Sequence, residues 1–148
     1  MKKTRGFDTW FEVGRANLMC HRVLNTLLAD LGLSLAQHEV LATINGLDEP
    51  TQKTLSERLL VVKSNVSALL AKLEARGLVA RRTDSSDSRN KRLRLTDAGK
   101  ALLSESMERQ NRVVSAMASG LSDDELERLS SIMQRASSAL AALEQQPR

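Results

Sequence analysis

Lys63, Ser64, Asn65 and Ser67 stand close together and carry the groups that meet nucleotides. Asparagine can bond an adenine edge through two hydrogen bonds, and serine can serve either strand. Lysine attracts phosphate. A second set follows: Arg81, Arg82, Asp87, Arg89 and Lys91. An arginine at the tip of a hairpin suits a narrow minor groove, where negative potential concentrates. The other cations, with Arg92 and Arg94, suit phosphates, although strand alternation prevents them all from facing one way. Lys53, Arg58 and Lys72 read as backbone clamps or plain surface charges. A third set, Trp10, Phe11, Arg15, Met19 and His38, offers apolar surface, one cation and one imidazole. These could line a pocket for a small molecule. Cys20 with His21, His38 and Glu39 is the remaining group with ligand or nucleophile chemistry.

The elements needed to hold these sets can be read from periodicity. Leu55, Leu59 and Leu60 carry a helix whose other side is Ser56, Glu57 and Arg58. Thr51 is its expected cap, giving a helix over 51–60. Val61 and Val62 fill a turn. A second helix over 63–76 buries Val66, Leu69, Leu70 and Leu73, one face of a 3.6-residue period. Gly77 ends it, as a left-handed position after a helix requires. Two helices joined by a short turn form a helix-turn-helix, whose second helix enters the major groove N-terminus first. Leu78 and Val79 then open a strand, and Leu93 and Leu95 alternate with Arg92 and Arg94 in another. The polar stretch from Arg81 to Lys91 reads as the loop between them, which makes the hairpin a basic wing.

Upstream, a long helix is expected over 7–31, with Gly32 as its stop. Nothing nearby in sequence could cover its many apolar residues. Ser34 and Gln37 form a capping-box pattern for the next helix, which Gly46 closes. After the wing, Thr96 caps a helix over 97–119 whose polar middle, 108–112, faces solvent or a cavity. Gly120 breaks it. Ser122 and Glu125 form a second capping box, with acids in the first turn to suit the helix dipole. The last helix carries Leu126, Leu129, Ile132, Met133, Ala136, Leu140 and Leu143 at the spacing of a coiled-coil seam.

The stretch Gly77–Gly99, GLVARRTDSSDSRNKRLRLTDAG, resembles the wing signature of the MarR (multiple-antibiotic-resistance regulator) family of winged-helix transcription factors. The matching residues are Gly77, Leu78, Val79, Arg81, Asp87, Arg89, Leu95, Thr96 and Gly99. LSLAQHEVL resembles the family's second helix, and TLSERLLVVKSNVSALLAKLEARGLV its reading head. Two positions depart from the pattern: Leu60 stands where the turn often carries glycine, and Val62 where a capping Asp or Ser is common. The resemblance implies a mainly α fold with a small β-wing. It implies a single domain over 1–148, with a winged helix-turn-helix lobe over 34–96 and dimerisation helices over 7–31 and 97–145. It also implies that Asp87 orients Arg89, and that the protein is a homodimer on a pseudo-palindromic double-stranded DNA site. Release by a small aromatic or phenolic effector is the default expectation. Oxidant-sensing members keep their cysteine near the position of Trp10, and zinc-responsive relatives place histidines on the fifth helix; this chain has neither. No metal and no other cofactor is therefore expected.

Charge distribution agrees with a polyanion partner. The net charge of +4 conceals a net +7 over 51–100, against −1 before it and −2 after it. At 148 residues the chain is one domain's worth and large enough for a real core. It has no stretch of the roughly 20 apolar residues that cross a membrane. A start without an apolar core reads as no secretory signal, and a single cysteine fits a reducing cytoplasm. No nucleophile elbow, phosphate-binding glycine loop or paired-acid motif supports an enzyme, so no catalytic residues are assigned. The expected function is sequence-specific transcriptional regulation, most simply repression. The competing readings are an antirepressor or interaction protein with a winged-helix shell, and a nonspecific DNA binder.

Overall fold

The computed structural model describes residues 4–59, 65–83 and 91–145. Helix α1 spans Phe7–Ala29, α2 Leu35–Gly46, α3 Gln52–Arg58 and α4 Val66–Ala75. Strands β1 (Val79–Thr83) and β2 (Lys91–Leu95) follow, then α5 (Asp97–Ala118) and α6 (Asp123–Glu144). Residues 1–113 and 114–148 form two compact units.

The core of the first unit is almost entirely leucine and valine. Leu28, Leu41, Leu55, Leu70, Leu73, Leu93 and Val40 are fully buried. Most of the expected inward residues are found there: Leu55 from α3 and Leu59 just after it, Val66, Leu70 and Leu73 from α4, and Leu93 and Leu95 from β2; Leu69 is partly buried against them, and Leu60 lies outside the described residues. Polar groups fix the junctions. Asn25 Oδ1 accepts from Leu35 N–H at 3.1 Å, so α1 satisfies an orphan donor at the start of α2. Ser34 and Gln37 make both bonds of the expected capping box. The Thr51 side chain accepts from Thr54 N–H and caps α3, which ends at Arg58 rather than Leu60. Gly77 has φ 68°, the left-handed geometry anticipated after the reading helix.

β1 and β2 are antiparallel, with Arg81 opposite Leu93 and Thr83 opposite Lys91. The sequence expectation of a loop from Arg81 to Lys91 is corrected here, because Arg81, Arg82, Thr83 and Lys91 belong to the strands. Alternation needs only one buried face, and Leu93 supplies it by packing at 0% exposure. The chain before α3 adds to the sheet: Leu93 N–H donates to Pro50 O, and Thr51 bridges Arg92. Asp48 and Glu49, just before, have φ of 45° and 54°.

Thr96 joins the wing to α5. Its hydroxyl donates to Gly77 O at 2.6 Å and accepts from Gly99 N–H at 3.0 Å. Gly99 itself is buried, and a Cβ on it would lie 2.0 Å from the Leu78 carbonyl oxygen.

The long α1 buries Leu24 and Leu28 but leaves many of its other apolar residues uncovered, as expected of a helix with no partner nearby in sequence. Trp10 is 67% exposed, Phe11 57% and Leu18 70%. In the second unit, Ser122 and Glu125 form the anticipated capping box at the start of α6, and no residue of α6 is buried. Hydrogen bonds from the Ser122 backbone and side chain hold the Glu125 carboxyl below its ordinary value. The sign follows from that. The ionised carboxylate stabilises the helix start above the unfolded carboxylate pKa, and this contribution disappears as pH falls through the lowered folded value. Acid titration followed by far-UV circular dichroism should show α6 weakening over that range. Glu125→Gln should remove that part of the pH dependence.

Candidate nucleic-acid interface

α4 presents its non-core side to solvent: Ser67, Ala68, Ala71, Lys72 and Ala75 are exposed, while Val66, Leu70 and Leu73 point inward. An α-helix must come close to base edges to read them, and alanines and a serine permit that approach. Asn65 is exposed and serves as the N-cap residue, with no side-chain capping bond. The helix therefore begins later than the Lys63 expected from periodicity. An unpaired cap side chain leaves the Asn65 amide available. Lys63 and Ser64 lie outside the described residues, as do Asp87 and Arg89.

Ser67 and Arg81 are brought together by a residue that sequence reading did not single out. Gln52, the first residue of α3, has its Nε2 2.6 Å from Ser67 Oγ. Its Oε1 accepts from Arg81 Nη1 at 3.2 Å. Arg81 Nε also donates to Glu74 Oε1 at 2.7 Å, forming a partly exposed ion pair. Ser67 and Glu74 are seven residues apart and so share one stripe of α4. The network thus ties both ends of α4 to α3 and to β1. Arg82 and Lys91 are exposed on the two strands. The spacing of Ser67 and Glu74 was visible in the sequence, but only folding shows that Gln52 and Arg81 lie along that stripe.

The five residues expected around a small-molecule pocket do not form one lining. Trp10, Phe11, Arg15 and Met19 are exposed along α1. Arg15 and Met19, with Glu12 and Ala16, border a shallow depression, and Arg15 pairs with Glu12 at 2.9 Å. His38 is not part of that lining. It is 2% exposed and bonded at both ring nitrogens, Nδ1 to Ser106 at 3.0 Å and Nε2 to Gln110 at 2.6 Å. Ser106 spends its own proton on Leu103 O at 2.9 Å. The Ser106 oxygen then accepts from Nδ1–H. The polar middle of α5 is thereby explained at Gln110, which turns inward to a histidine of α2. Cys20 is half-buried and packs against the core.

Comparison with known proteins gives a consistent result. Residues 31–90 match the model of the MarR family. An uncharacterised HTH-type transcriptional regulator of Bacillus subtilis, YdgJ, is 29% identical over 104 residues, which is 70% of this chain and 63% of that protein. The chain thus spans somewhat under two thirds of that relative's length. Among solved structures, a mutant MarR from E. coli complexed with operator DNA superposes with a TM-score of 0.78. It is 22% identical and covers 90% of this chain and 99% of its own. The organohalide-sensing regulator RdhR-CbdbA1625, in its 2,4-dichlorophenol-bound form, gives a TM-score of 0.79 at 21% identity, over 93% and 82% of the two chains. Among the described residues no helix is long and apolar enough to cross a membrane.

Proposed function

We propose that the chain, whose residues 31–90 match the MarR family model, is a winged-helix transcriptional regulator of that kind, and that it binds double-stranded operator DNA as a homodimer and represses transcription until a small molecule releases it. The observation that carries DNA reading is the exposed, small-residue face of α4 set beside a wing in the segment that holds the chain's excess positive charge. On this reading Lys63, Ser64, Asn65 and Ser67 meet the major groove. Arg81, Arg82 and Lys91 meet phosphates, and Arg89, oriented by Asp87, enters the minor groove. The reading lobe is 34–96, and the segments 7–31 and 97–145 join two copies.

The homodimer is supported by the uncovered aromatic and leucine residues of α1, apolar surface of the kind that marks an interaction site. A two-fold pair reads two half-sites about one helical turn apart. The small aromatic effector is the least direct part. It rests on the dichlorophenol-bound neighbour and on the aromatic character of Trp10 and Phe11 near the depression at Arg15 and Met19.

Selection of the purified protein against a random DNA pool at near-physiological salt tests the proposal. A two-fold symmetric site should emerge. Arg89→Ala should weaken binding to it by roughly tenfold, as expected for the loss of one groove contact. Retention of the pool without enrichment would replace this reading with nonspecific binding, and no retention even at low salt would leave an interaction protein.

A further inference from the structure

Gln52 fixes the polarity of Ser67. Arg81 Nη1 can only donate, so Gln52 must turn its carbonyl oxygen toward the guanidinium. Its NH₂ end is then committed to Ser67, and an amide nitrogen can only donate as well. Ser67 Oγ must therefore accept this bond, at 2.6 Å. The serine's own proton points elsewhere, away from the amide. The amide orientation, often ambiguous, is determined here because the guanidinium cannot accept. Glu74 holds the other end of the chain by binding Arg81 Nε at 2.7 Å.

We propose that Gln52 is a positioning residue for specificity, one that presets the Ser67 hydroxyl as an outward hydrogen-bond donor. Resting on the DNA-reading function proposed above, this assigns Ser67 a chemical preference. It pairs with an acceptor on a base edge, guanine O6 or N7, adenine N7 or thymine O4. It disfavours cytosine, whose major-groove edge offers only the N4 amino donor. A single residue of α3 thus sets what a residue of α4 reads, without itself touching a base.

Substitution reverses the polarity. In Gln52→Glu the carboxylate still accepts from Arg81, but it cannot donate to Ser67. The Ser67 proton then turns inward to the carboxylate, and lone pairs face the groove. The test is parallel selection of wild type, Gln52→Glu, Gln52→Ala and Ser67→Ala from one random pool, with the folded state of each checked by circular dichroism. The added charge of Gln52→Glu lowers affinity for all DNA alike, so the readout is the base preference at each position.

Wild type should favour an acceptor base at one position per half-site by roughly fivefold, the worth of one net hydrogen bond. Ser67→Ala and Gln52→Ala should flatten that position alone. Gln52→Glu should move it away from guanine and thymine and toward cytosine, adenine serving either polarity. An unchanged preference in Gln52→Glu, or a uniform loss of affinity in Ser67→Ala, overturns the assignment and leaves DNA reading intact. Absence of any enriched sequence with wild type overturns both.

Discussion

Gly99→Ala should destabilise the protein by about 3 kcal/mol or more, the upper range for forcing extra atoms into a packed site. The added Cβ would lie 2.0 Å from the Leu78 carbonyl oxygen and 3.0 Å from its carbon. Neither atom can rotate away, because both are backbone. Leu78 O also accepts from Thr96 N–H at 3.1 Å, and Thr96 in turn holds Gly77 O and Gly99 N–H. The only relief is a movement of the first turn of α5 away from the wing, which breaks these bonds together. Urea denaturation monitored by circular dichroism measures the loss. A stability within 1 kcal/mol of wild type, on the same scale, would mean that α5 slides freely against the wing base. Gly120→Ala is a suitable control, since a Cβ there meets nothing within 4 Å.

The second large effect is expected at His38. Removing the ring in His38→Ala empties a buried site and leaves Ser106 and Gln110 without their partner across α2 and α5. A lost buried partner costs about 1–3 kcal/mol, and the cavity adds to it, so a total near 3 kcal/mol is expected. His38→Phe separates the two contributions, because it keeps most of the volume while losing both bonds. It should recover part of the stability. If His38→Ala were as stable as wild type, the histidine would not be holding α2 to α5. If His38→Phe were as damaging as His38→Ala, the cost would lie in the hydrogen bonds alone.

Features made by neighbours in sequence could be read before folding. Both capping boxes, Ser34 with Gln37 and Ser122 with Glu125, depend on residues three apart, and both are present. Gly77 was placed by its position after a leucine stripe, and its φ agrees. What depends on distant segments was not legible. The strand lengths of the wing are set by Leu93 packing and by pairing across the hairpin, so Arg81 and Lys91 were placed in a loop they do not occupy. Gly99 was recognisable as a signature residue, but the reason for glycine is a carbonyl 21 positions earlier in the chain. His38 illustrates the same limit. Its residue type allowed a ligand-pocket role, whereas its partners at 106 and 110 give it a supporting one. Gln52 had no local signal at all, since its two partners belong to α4 and β1.

The open face of α1 has a consequence for the life of each molecule. A newly made copy carries Trp10 at 67% exposure and Leu18 at 70%. Such surface is what chaperones and proteases recognise, and assembly removes it by mass action. Under the homodimer reading, turnover is coupled to abundance. Scarce copies stay unpaired and are degraded sooner, while plentiful copies protect one another. Under the proposed DNA-binding function, the threshold at which it takes hold of its sites would then be sharper than its affinity for DNA alone would make it.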